Sequence, residues 1–510
     1  MRHIIHTGKW ILILFLGAIL SSGCNQTPSR AIQQNELPSI YPDYMEATIP
    51  VNIAPLNFRI LPEGNNHVVF STKGYQFTIS GSDYIDIPEK KWKQLLGAAK
   101  GDSITVSVYN RENGHWLKYK SFHWYVPTDS IDNYLVYRLI EPTYANWNQM
   151  GIYQRNLSSF SETEIISNDK TGHNCMNCHS FNQRDPHQMV LHMRKTNPGT
   201  LLIKDGKITK LDTQTQYTIS NFVYPYWHPS GNDIAFSTNN TQMSFFEAND
   251  KLIEVYDLYS DIVLYNIDKN EVYTSPLLSA KDQLENFPVF SPDGKTLYFC
   301  SCPRVDSLPQ NFEQVKYQLC SIGFDADNRT FSPQVDTLVN LTQKGKGVSL
   351  PSISPNGQYI LCSVASSGCF LSWDKNSDLF LYDTHSKELR SAEALNTDQS
   401  ESYTSWSSNS RWIIFSSRRL DGVYNRPYIA YINEKGEIGK PFILPQKHPD
   451  FYQYLFKAYN LPQLVSGKVT INPHEIAETV KSPNSQSVKF RQGEHQPAVT
   501  EKTAAKSEVN

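Results

Sequence analysis

The sequence predicts an all-β protein in which an N-terminal β-sandwich-like domain is followed by a six-bladed β-propeller. Two observations support this fold class. The composition is rich in turn-forming and aromatic residues, with 29 Pro, 25 Gly and 12% Phe, Trp and Tyr, which is typical of many short strands. A pattern of four strands also recurs every 50–60 residues or so, the period of a propeller blade.

The chain begins with the features of a secretory signal. A short basic region precedes the apolar run 10–20 ("WILILFLGAIL"), which is too short to span a bilayer as a mature helix. "LSSGC", ending at Cys24, resembles a bacterial lipobox, although Ser21 stands where Leu is common. The resemblance implies removal of residues 1–23 and lipidation of Cys24. The alternative is ordinary cleavage that leaves Cys24 unmodified.

Residues 24–45 are polar and contain proline, so we predict a tether to the membrane. Residues 46–127 alternate apolar and polar side chains and predict the β-sandwich-like domain. One short helix interrupts it, "PEKKWKQLLG", with Pro88 at its start and Gly97 past its end.

The propeller is predicted over residues 131–446. Four segments share a short apolar run, a turn related to Ser-Pro-Asp-Gly and an alternating strand: "YPYWHPSGNDIAF" from 224, "FPVFSPDGKTLYF" from 287, "LPSISPNGQYILC" from 350 and "YTSWSSNSRWIIF" from 403. Two weaker units precede them, at 133–166 and 187–212. Residues 447–480 are predicted to pack on the propeller, and residues 481–510, which are polar and poor in aromatics, are predicted to be disordered.

The stretch "GHNCMNCHSF" carries the main chemical signal. Cys175, Cys178 and His179 match Cys-x-x-Cys-His, in which two thiols attach to a porphyrin edge and the histidine ligates the iron. We therefore predict one covalent haem c, with His179 as the proximal ligand. The motif takes the place of the Ser-Pro-Asp-Gly hairpin in the second predicted blade.

Two alternatives for this motif stay open. Zinc could bind Cys175 and Cys178 together with His173, His187 or His192. A disulfide between the two thiols is the simplest alternative in an exported chain. The remaining cysteines after Cys24 are odd in number, so at least one is free or pairs outside the chain: Cys300, Cys302, Cys320, Cys362 and Cys369.

The distal haem ligand is less clearly marked. His192 and Met150 are the candidates, although the simpler interpretation is a strand histidine that faces solvent for His192 and plain packing for Met150. His192 would lie beside Cys175 in a tight hairpin, whereas a flat macrocycle needs its two axial ligands on opposite faces. Met150 comes from another segment, where Tyr144 and Trp147 are available to pack a porphyrin.

The stretch from Phe290 to Gly294, Phe-Ser-Pro-Asp-Gly, resembles the TolB-like propeller repeat, which is six-bladed in that family. With its lipobox and Cys-x-x-Cys-His motif, the whole chain looks like TolB-like lipoproteins of Bacteroidetes-type bacteria. This resemblance implies protein partners in the cell envelope. It also implies an anchor in the outer membrane; the residues after Cys24 lack an acidic run, which favours an anchor that faces the periplasm.

Three functions are compatible with these features: electron transfer through the haem, protein binding by a scaffold in which the haem is structural or absent, and haem catalysis at an open iron position. A net charge of −3 gives no reason to expect nucleic acid as a partner. The sequence has no Gly-x-Ser-x-Gly, phosphate-binding glycine loop or His-Glu-x-x-His motif, so it gives no sign of the corresponding hydrolases or nucleotide-binding proteins.

Overall fold

A computed structural model describes residues 27–141, 149–245, 253–492, 495–497 and 502. The predicted signal at 1–23, Cys24, Tyr144 and Trp147 lie outside these residues. The described chain is mostly β-strand. It divides into one unit of Met1–Thr128 with Pro445–Tyr454 and a second of Asp129–Leu444 with Leu455–Asn510. Within the described ranges, no helix has the length and hydropathy needed to cross a bilayer.

The first unit contains a six-stranded sheet and a two-stranded sheet. The larger sheet has the order β1-β7-β6-β4-β5, with β8 also paired to β6; the smaller one pairs β2 with β3. The strands are β1 Ala31–Gln33, β2 Ser39–Tyr41, β3 Arg59–Leu61, β4 Asn65–Thr72, β5 Tyr75–Gly81, β6 Asp102–Glu112, β7 His115–Lys118 and β8 Phe122–Val126. The helices are α1 Glu89–Ala99 and the single turn α2 Phe451–Tyr454.

Helix α1 changes the predicted architecture of this unit. Trp92, Leu95 and Leu96 are buried on one side of α1, which contacts β4, β5 and β6. The larger sheet is therefore covered by a helix, where the sequence predicted a β-sandwich. The helix also continues past Gly97 to Ala99, because a glycine inside a helix costs only about 1 kcal/mol relative to alanine and packing can offset that cost.

The predicted tether is partly folded. Strand β1 pairs in parallel with β7, and β2 pairs with β3, so residues from Ala31 onward belong to the first unit. Ile40 and Tyr44 are buried there. Short strands of this kind are stabilised by backbone hydrogen bonds and a few apolar contacts. The average composition of a polar segment does not predict them.

The second unit consists, in its described part, of six antiparallel sheets of four strands, two of which gain a short fifth strand. Sheet 1 contains β9 Tyr134–Ile140, β10 Gly151–Asn156, β11 Glu162–Ser167 and β32 Ala458–Val465. Sheet 2 contains β12 Cys175–Phe181, β13 Gln188–Arg194, β14 Gly199–Lys204, β15 Lys207–Asp212 and β33 Gln486–Ser487. Sheet 3 contains β16 Val223–Trp227, β17 Asp233–Phe245, β18 Ile253–Asn266, β19 Glu271–Tyr273 and β34 Lys489–Phe490.

The remaining three sheets follow in chain order. Sheet 4 contains β20 Gln283–Phe290, β21 Thr296–Pro303, β22 Gln318–Asp325 and β23 Thr330–Val339. Sheet 5 contains β24 Gly347–Ile353, β25 Tyr359–Ala365, β26 Asp378–Asp383 and β27 Leu389–Ser391. Sheet 6 contains β28 Glu401–Trp406, β29 Trp412–Ser417, β30 Arg426–Tyr431 and β31 Phe442–Ile443.

One edge strand from each sheet contacts the corresponding strand of the next sheet, so these strands form a closed ring. The ring runs β12, β16, β20, β24, β28, β32 and back to β12. We call these six the inner strands. The apolar cores lie between neighbouring sheets, as between sheets 1 and 2, where Ile152, Met189 and Val465 pack together. This arrangement is propeller-like.

The ring is closed by a strand from beyond the predicted propeller boundary at residue 446. Strand β32 pairs with β9 and completes sheet 1, so the first sheet combines strands from both ends of the unit. Helix α3, Pro473–Lys481, follows and buries Ile476, Ala477 and Val480. The segment 447–480 was predicted to pack on the propeller from outside, but its strand is part of the ring.

The predicted disordered tail also contributes described structure. Strands β33 and β34 extend sheets 2 and 3 by parallel pairing with β15 and β19. Lys502 is buried. Low hydrophobicity predicted disorder here, but these two-residue strands form backbone hydrogen bonds, which do not depend on side-chain hydropathy.

Candidate functional site: the mouth of the ring

Every inner strand carries a β-bulge at an equivalent position. The register with the partner strand shifts by one residue between the members of each pair: Asn177/His179, Val223/Tyr226, Asn286/Val289, Ser349/Ser352, Ser402/Ser405 and Asn460/Gln463. The residue pairs at these bulges are Cys178-His179, Tyr224-Pro225, Phe287-Pro288, Leu350-Pro351, Tyr403-Thr404 and Leu461-Pro462. We call them the bulge pairs.

The chemistry of a bulge explains these residue types. A bulge leaves one residue outside the hydrogen-bonded ladder, so a proline there sacrifices no ladder hydrogen bond. The first residue of five pairs has a positive φ of 47–53°, although none of these residues is glycine. Such conformations cost on the order of 1–3 kcal/mol each, and they concentrate at sites where a ligand is held.

The bulge pairs and the turns that follow them line a cavity of about 380 Å³, a volume within the range of ligand sites. We call this cavity the mouth. Its described lining includes eight aromatic residues and seven prolines. The aromatic residues are Phe181, Tyr224, Tyr226, Trp227, Phe287, Phe290, Tyr403 and Trp406. A wall of this kind can bind an apolar or extended ligand by contact with rings.

Arg184 gives the mouth its charge. It is the one Arg among the described lining residues, which include no Lys, Asp or Glu. The Arg184 Nε donates a hydrogen bond to the Trp406 carbonyl at 2.7 Å, which fixes the guanidinium across the opening between sheets 2 and 6. Among described residues, its Nη atoms have no hydrogen-bond partner. Burial lowers the Arg184 pKa, while Tyr226 and the carboxylate of Asp132 act in the opposite direction, and the guanidinium stays charged at neutral pH.

The structure places the Cys-x-x-Cys-His motif on β12 itself, in the inner strand of sheet 2. The sequence predicted the motif in the hairpin slot. Residues 182–185 take that slot, because Phe181 aligns with Phe290 and Asn182 therefore aligns with Ser291 at the start of the turn. Cys178-His179 thus takes the place of the bulge pairs of the other sheets, not of their turns.

Cys178 and His179 both line the mouth and are both buried. Burial raises the pKa of the Cys178 thiol, with a smaller opposing effect from the charge of Arg194. Burial, assisted by Arg138, lowers the pKa of His179 to about 3, so the imidazole is neutral at pH 7. Its two ring nitrogens have no hydrogen-bond partner of good geometry, although the Val136 and Leu461 backbones lie nearby.

Cys175 has a different environment. It is buried in the core between sheets 1 and 2, where it packs with Met150 and Met176, and it does not line the mouth. A strand advances about 3.3 Å per residue, so two cysteines three residues apart on β12 exceed the Cα separation of about 7 Å that a disulfide tolerates. Both are free cysteines, as are all the other cysteines in the described ranges.

The residues as packed here do not fit a covalent haem. The two thiols occupy different environments, the core and the mouth, so one porphyrin edge could not reach both while β12 stays paired. His192 is opposite Asn177, whereas His179 is opposite Leu191. Neighbouring residues on β13 point to opposite faces, so the sheet separates the imidazoles of His179 and His192.

The two candidate distal ligands have structural partners instead. The His192 Nδ1 lies 3.1 Å from Thr200 Oγ1, and the imidazole is fully buried. The Met150 sulfur accepts a hydrogen bond from the Met176 backbone N–H at 3.2 Å. The zinc alternative, with His173, His187 or His192, has no support either: across the described ranges, no three His, Cys, Asp or Glu side chains are grouped closely enough to hold a metal ion.

Sequence reasoning did not predict most of the residues that line the mouth. The dipeptides Tyr-Pro, Phe-Pro and Leu-Pro precede the turns of sheets 3 to 5. As parts of short apolar runs, they predicted strands and not a shared site. Leu461-Pro462 repeats the same signal in "NLPQLVSG" and would have identified the sixth inner strand. Arg184 had no signal of its own, because its place in the mouth depends on how the ring brings the turn of sheet 2 to Trp406 of sheet 6.

Comparison with known proteins gives a fold-level likeness only. No family model matches the chain, and no curated protein matches it. Among solved structures, prolyl oligopeptidase B from Galerina marginata matches with a TM-score of 0.35 and 9% identity, over 66% of this chain and 42% of that one. Porphyromonas gingivalis dipeptidyl peptidase 4 matches with a TM-score of 0.30 and 12% identity, over 67% of this chain and 51% of that one.

An endo-arabinase from Bacteroides thetaiotaomicron matches with a TM-score of 0.26 and 13% identity, over 51% of this chain and 89% of that one. The chain spans about half the length of the peptidase structures it matches. These TM-scores are too low to transfer an activity or a sheet count. The peptidases carry a β-propeller domain, and the likeness of this chain to them is limited to a propeller-like fold.

Proposed function

We propose that this chain is a six-bladed propeller of the TolB-like type that binds an acidic, extended segment of another envelope protein in its mouth. The observation that carries this proposal is the charge of the lining, in which Arg184 stands alone among apolar and neutral polar groups. Asp132 lies outside the lining and its charge acts on Arg184, but the Arg184 Nη atoms have no hydrogen-bond partner among the described residues. A ligand that fills this cavity without an acceptor would leave these donors desolvated, which is costly. A carboxylate would give the guanidinium a charge-assisted, potentially bidentate partner.

The wall of the mouth supports a peptide as the ligand. Aromatic side chains and prolines give flat apolar surfaces, and aromatic-lined grooves are a recurring way to bind extended, proline-containing segments. The imidazole of His179, neutral at pH 7, adds to the uncharged part of the wall beside Arg184. The strained bulge pairs hold these surfaces in place before the ligand arrives, so less ordering is needed on binding.

Binding is favoured over catalysis by the state of the two reactive side chains in the mouth. A nucleophilic cysteine needs a lowered pKa, but burial raises that of Cys178. A general acid or base works best with a pKa near the working pH, and that of His179 lies near 3.

The proposal includes export and a lipid anchor at Cys24, with the chain in the outer membrane and facing the periplasm. Support comes from the signal and lipobox sequence alone. Metabolic labelling with a radioactive fatty acid tests it: the wild type should be labelled and Cys24→Ala should not. Equal labelling of the two would remove the anchor from the proposal.

Peptide binding can be tested by selection from a phage library of random twelve-residue peptides on the purified chain. We expect the enriched peptides to contain Asp or Glu beside apolar residues or proline. Their affinity should fall at least tenfold for Arg184→Gln and should not change for Lys344→Gln, which removes an exposed positive charge outside the mouth. Enriched peptides that bind all three proteins equally would contradict the proposal.

Electron transfer through a covalent haem is the second candidate, because the Cys-x-x-Cys-His sequence is complete and His179 has unpartnered ring nitrogens. The test is a pyridine haemochrome spectrum after expression with a c-type maturation system. Covalent haem in the wild type but not in Cys175→Ala/Cys178→Ala would support this candidate and would require β12 to leave its present pairing. No haem in either protein would eliminate it.

A further inference from the structure

The C-terminal segment is attached to the ring at three successive places. Strands β33 and β34 add to the outer edges of sheets 2 and 3. The His495 Nε2 lies 3.0 Å from Ser279 Oγ. Lys502 then lies buried against sheet 3, with 3% of its surface exposed. A lysine is rarely buried to this extent unless its ammonium group is paired.

The Lys502 ammonium group has a defined set of acceptors. Its Nζ donates to Asp261 Oδ1 at 2.6 Å, and the carbonyl oxygens of Ser279 and Ala280 lie at 3.4 and 3.5 Å. The Lys502 backbone carbonyl accepts a hydrogen bond from Asn240 Nδ2 at 2.9 Å. The lysine is therefore held by both its side chain and its backbone.

A second carboxyl group belongs to the same pocket. Glu285 and Asp261 are each 1% exposed, and the pKa of Glu285 responds to the charges of both Asp261 and Lys502. One oxygen of each carboxyl, Glu285 Oε2 and Asp261 Oδ2, has no hydrogen-bond partner. Burial raises the pKa of Glu285 well above its usual range and that of Asp261 to about 6. Asp261 supplies the carboxylate that pairs with a positive charge, and the spare carboxyl oxygens are acceptors suited to a group with several N–H donors.

We propose that Asp261, Glu285 and the carbonyl groups of Ser279 and Ala280 form a binding site for a primary ammonium group, which Lys502 occupies in the resting chain. We call it the ammonium site. It recognises a lysine side chain by charge and by directed N–H donors, and through Lys502 it fastens the C-terminal segment to the ring. It is separate from the mouth, which none of these residues lines.

The test is chemical rescue in the full chain. Lys502→Ala empties the side-chain part of the site, and n-butylammonium is a probe of matching chemistry. At about 10 mM it should raise the melting temperature of Lys502→Ala by about 2 °C, because a ligand that binds only the folded state stabilises it. n-Butanol lacks the charge, and tetramethylammonium lacks N–H donors, so neither should raise it. Lys489→Ala, which removes an exposed lysine from the same segment, should gain nothing from butylammonium.

Hydrogen exchange gives a second readout, at the backbone amides of Val488, Lys489 and Arg491. They donate to the carbonyls of Asp212, Asn270 and Val272. In Lys502→Ala these amides should exchange at least tenfold faster than in the wild type, whereas Lys502→Arg should retain most of their protection. Butylammonium should not restore the protection in Lys502→Ala, because the small ion fills the site without reconnecting the chain. The proposal is overturned if butylammonium stabilises wild type, Lys502→Ala and Lys489→Ala equally, or if Lys502→Ala leaves the exchange unchanged.

Discussion

Thr404 in sheet 6 occupies the position that Pro225 holds in sheet 3. Each is the second residue of a bulge pair, each follows a tyrosine with positive φ, and each lines the mouth. Thr404 Oγ1 is buried and has no hydrogen-bond partner. Sheet 6 therefore shares the positive-φ bulge of sheets 1, 3, 4 and 5, and it has a threonine where those four sheets have a proline.

Thr404→Pro should therefore stabilise the protein. Proline restricts the unfolded chain at a position whose folded conformation already accepts it, which contributes about 0.4–1 kcal/mol, and the substitution removes an unpaired buried hydroxyl group. Thermal and urea unfolding measure the effect.

Ser402→Pro is the matched control, because Ser402 is paired with Ser416 in the ladder and proline cannot donate there, which should cost about 1–3 kcal/mol. A Thr404→Pro protein as unstable as Ser402→Pro would show that the bulge in sheet 6 is not equivalent to the others.

Closure of the ring should depend on β32 and not on the segment after α3. A chain that ends at residue 457 leaves β9 without its inner neighbour and removes the link between β28 and β12. We expect this chain to lose its cooperative thermal transition. A chain that ends at residue 482 keeps β32 and α3 and should retain the transition with a small decrease in melting temperature. Cooperative unfolding of the shorter chain would show that sheet 1 does not need β32.

Met150 should behave as a core residue. It is 3% exposed in the apolar cluster between sheets 1 and 2. Met150→Ala should lower the free energy of unfolding by about 2–5 kcal/mol through the cavity it creates, whereas Met150→Leu, of similar volume, should cost less than about 1.5 kcal/mol. Urea denaturation measures both, and a loss below about 0.5 kcal/mol for the alanine variant would show that Met150 is not packed as described.

Asp257 should make stability depend on pH. Thr241, Asn239, Asn286 and Cys369 donate to its buried carboxyl, yet burial outweighs them and raises its pKa to about 6. The unfolded chain releases this proton near pH 3.9. Between about pH 4 and 6 the folded state therefore holds more protons, so the free energy of unfolding falls as pH rises through this window and levels off above it.

Asp257→Asn removes this titration. Any cost of the substitution that does not depend on pH is the same at both ends of this window. Beyond that cost, the difference in the free energy of unfolding between wild type and variant should be larger at pH 4 than at pH 7, by on the order of 2–3 kcal/mol. Urea unfolding at both pH values provides the comparison, with the exposed Asp327→Asn as the control that should show no such change. An unchanged gap between wild type and Asp257→Asn would contradict the buried, protonated state of Asp257.

The sequence predicted the sheets whose turns carry strong local chemistry. The Ser-Pro-Asp-Gly turn at 291–294 is held by its own side chains, since Ser291 Oγ contacts Asp293 Oδ1 at 2.6 Å and accepts from the Thr296 N–H. Such a turn is encoded within a few residues, so its repeats identified sheets 3 to 5. Sheet 6 was found although its turn lacks both Pro and Gly, because the alternating strand after it is clear.

Features that depend on distant parts of the chain were not predicted. Strand β32 pairs with a strand more than 300 residues earlier, and β33 and β34 consist of two residues each, too short for any periodicity. The position of Arg184 in the mouth and the environment of Cys175 follow from the packing of whole sheets. The Cys-x-x-Cys-His spacing can be read from the sequence, but its local conformation is set by the inner-strand repeat that surrounds it.

The most direct test of the binding mouth is a double-mutant cycle between Arg184 and the acidic residue of a selected peptide. Binding is measured by fluorescence anisotropy for wild type and Arg184→Gln, each with the peptide and with its Asp→Asn or Glu→Gln form. A carboxylate bound by Arg184 predicts a coupling energy of about 1–3 kcal/mol, so that either change alone removes most of the effect of the other. A coupling energy near zero would mean that the peptide's charge and Arg184 do not meet, which would contradict the proposed mouth.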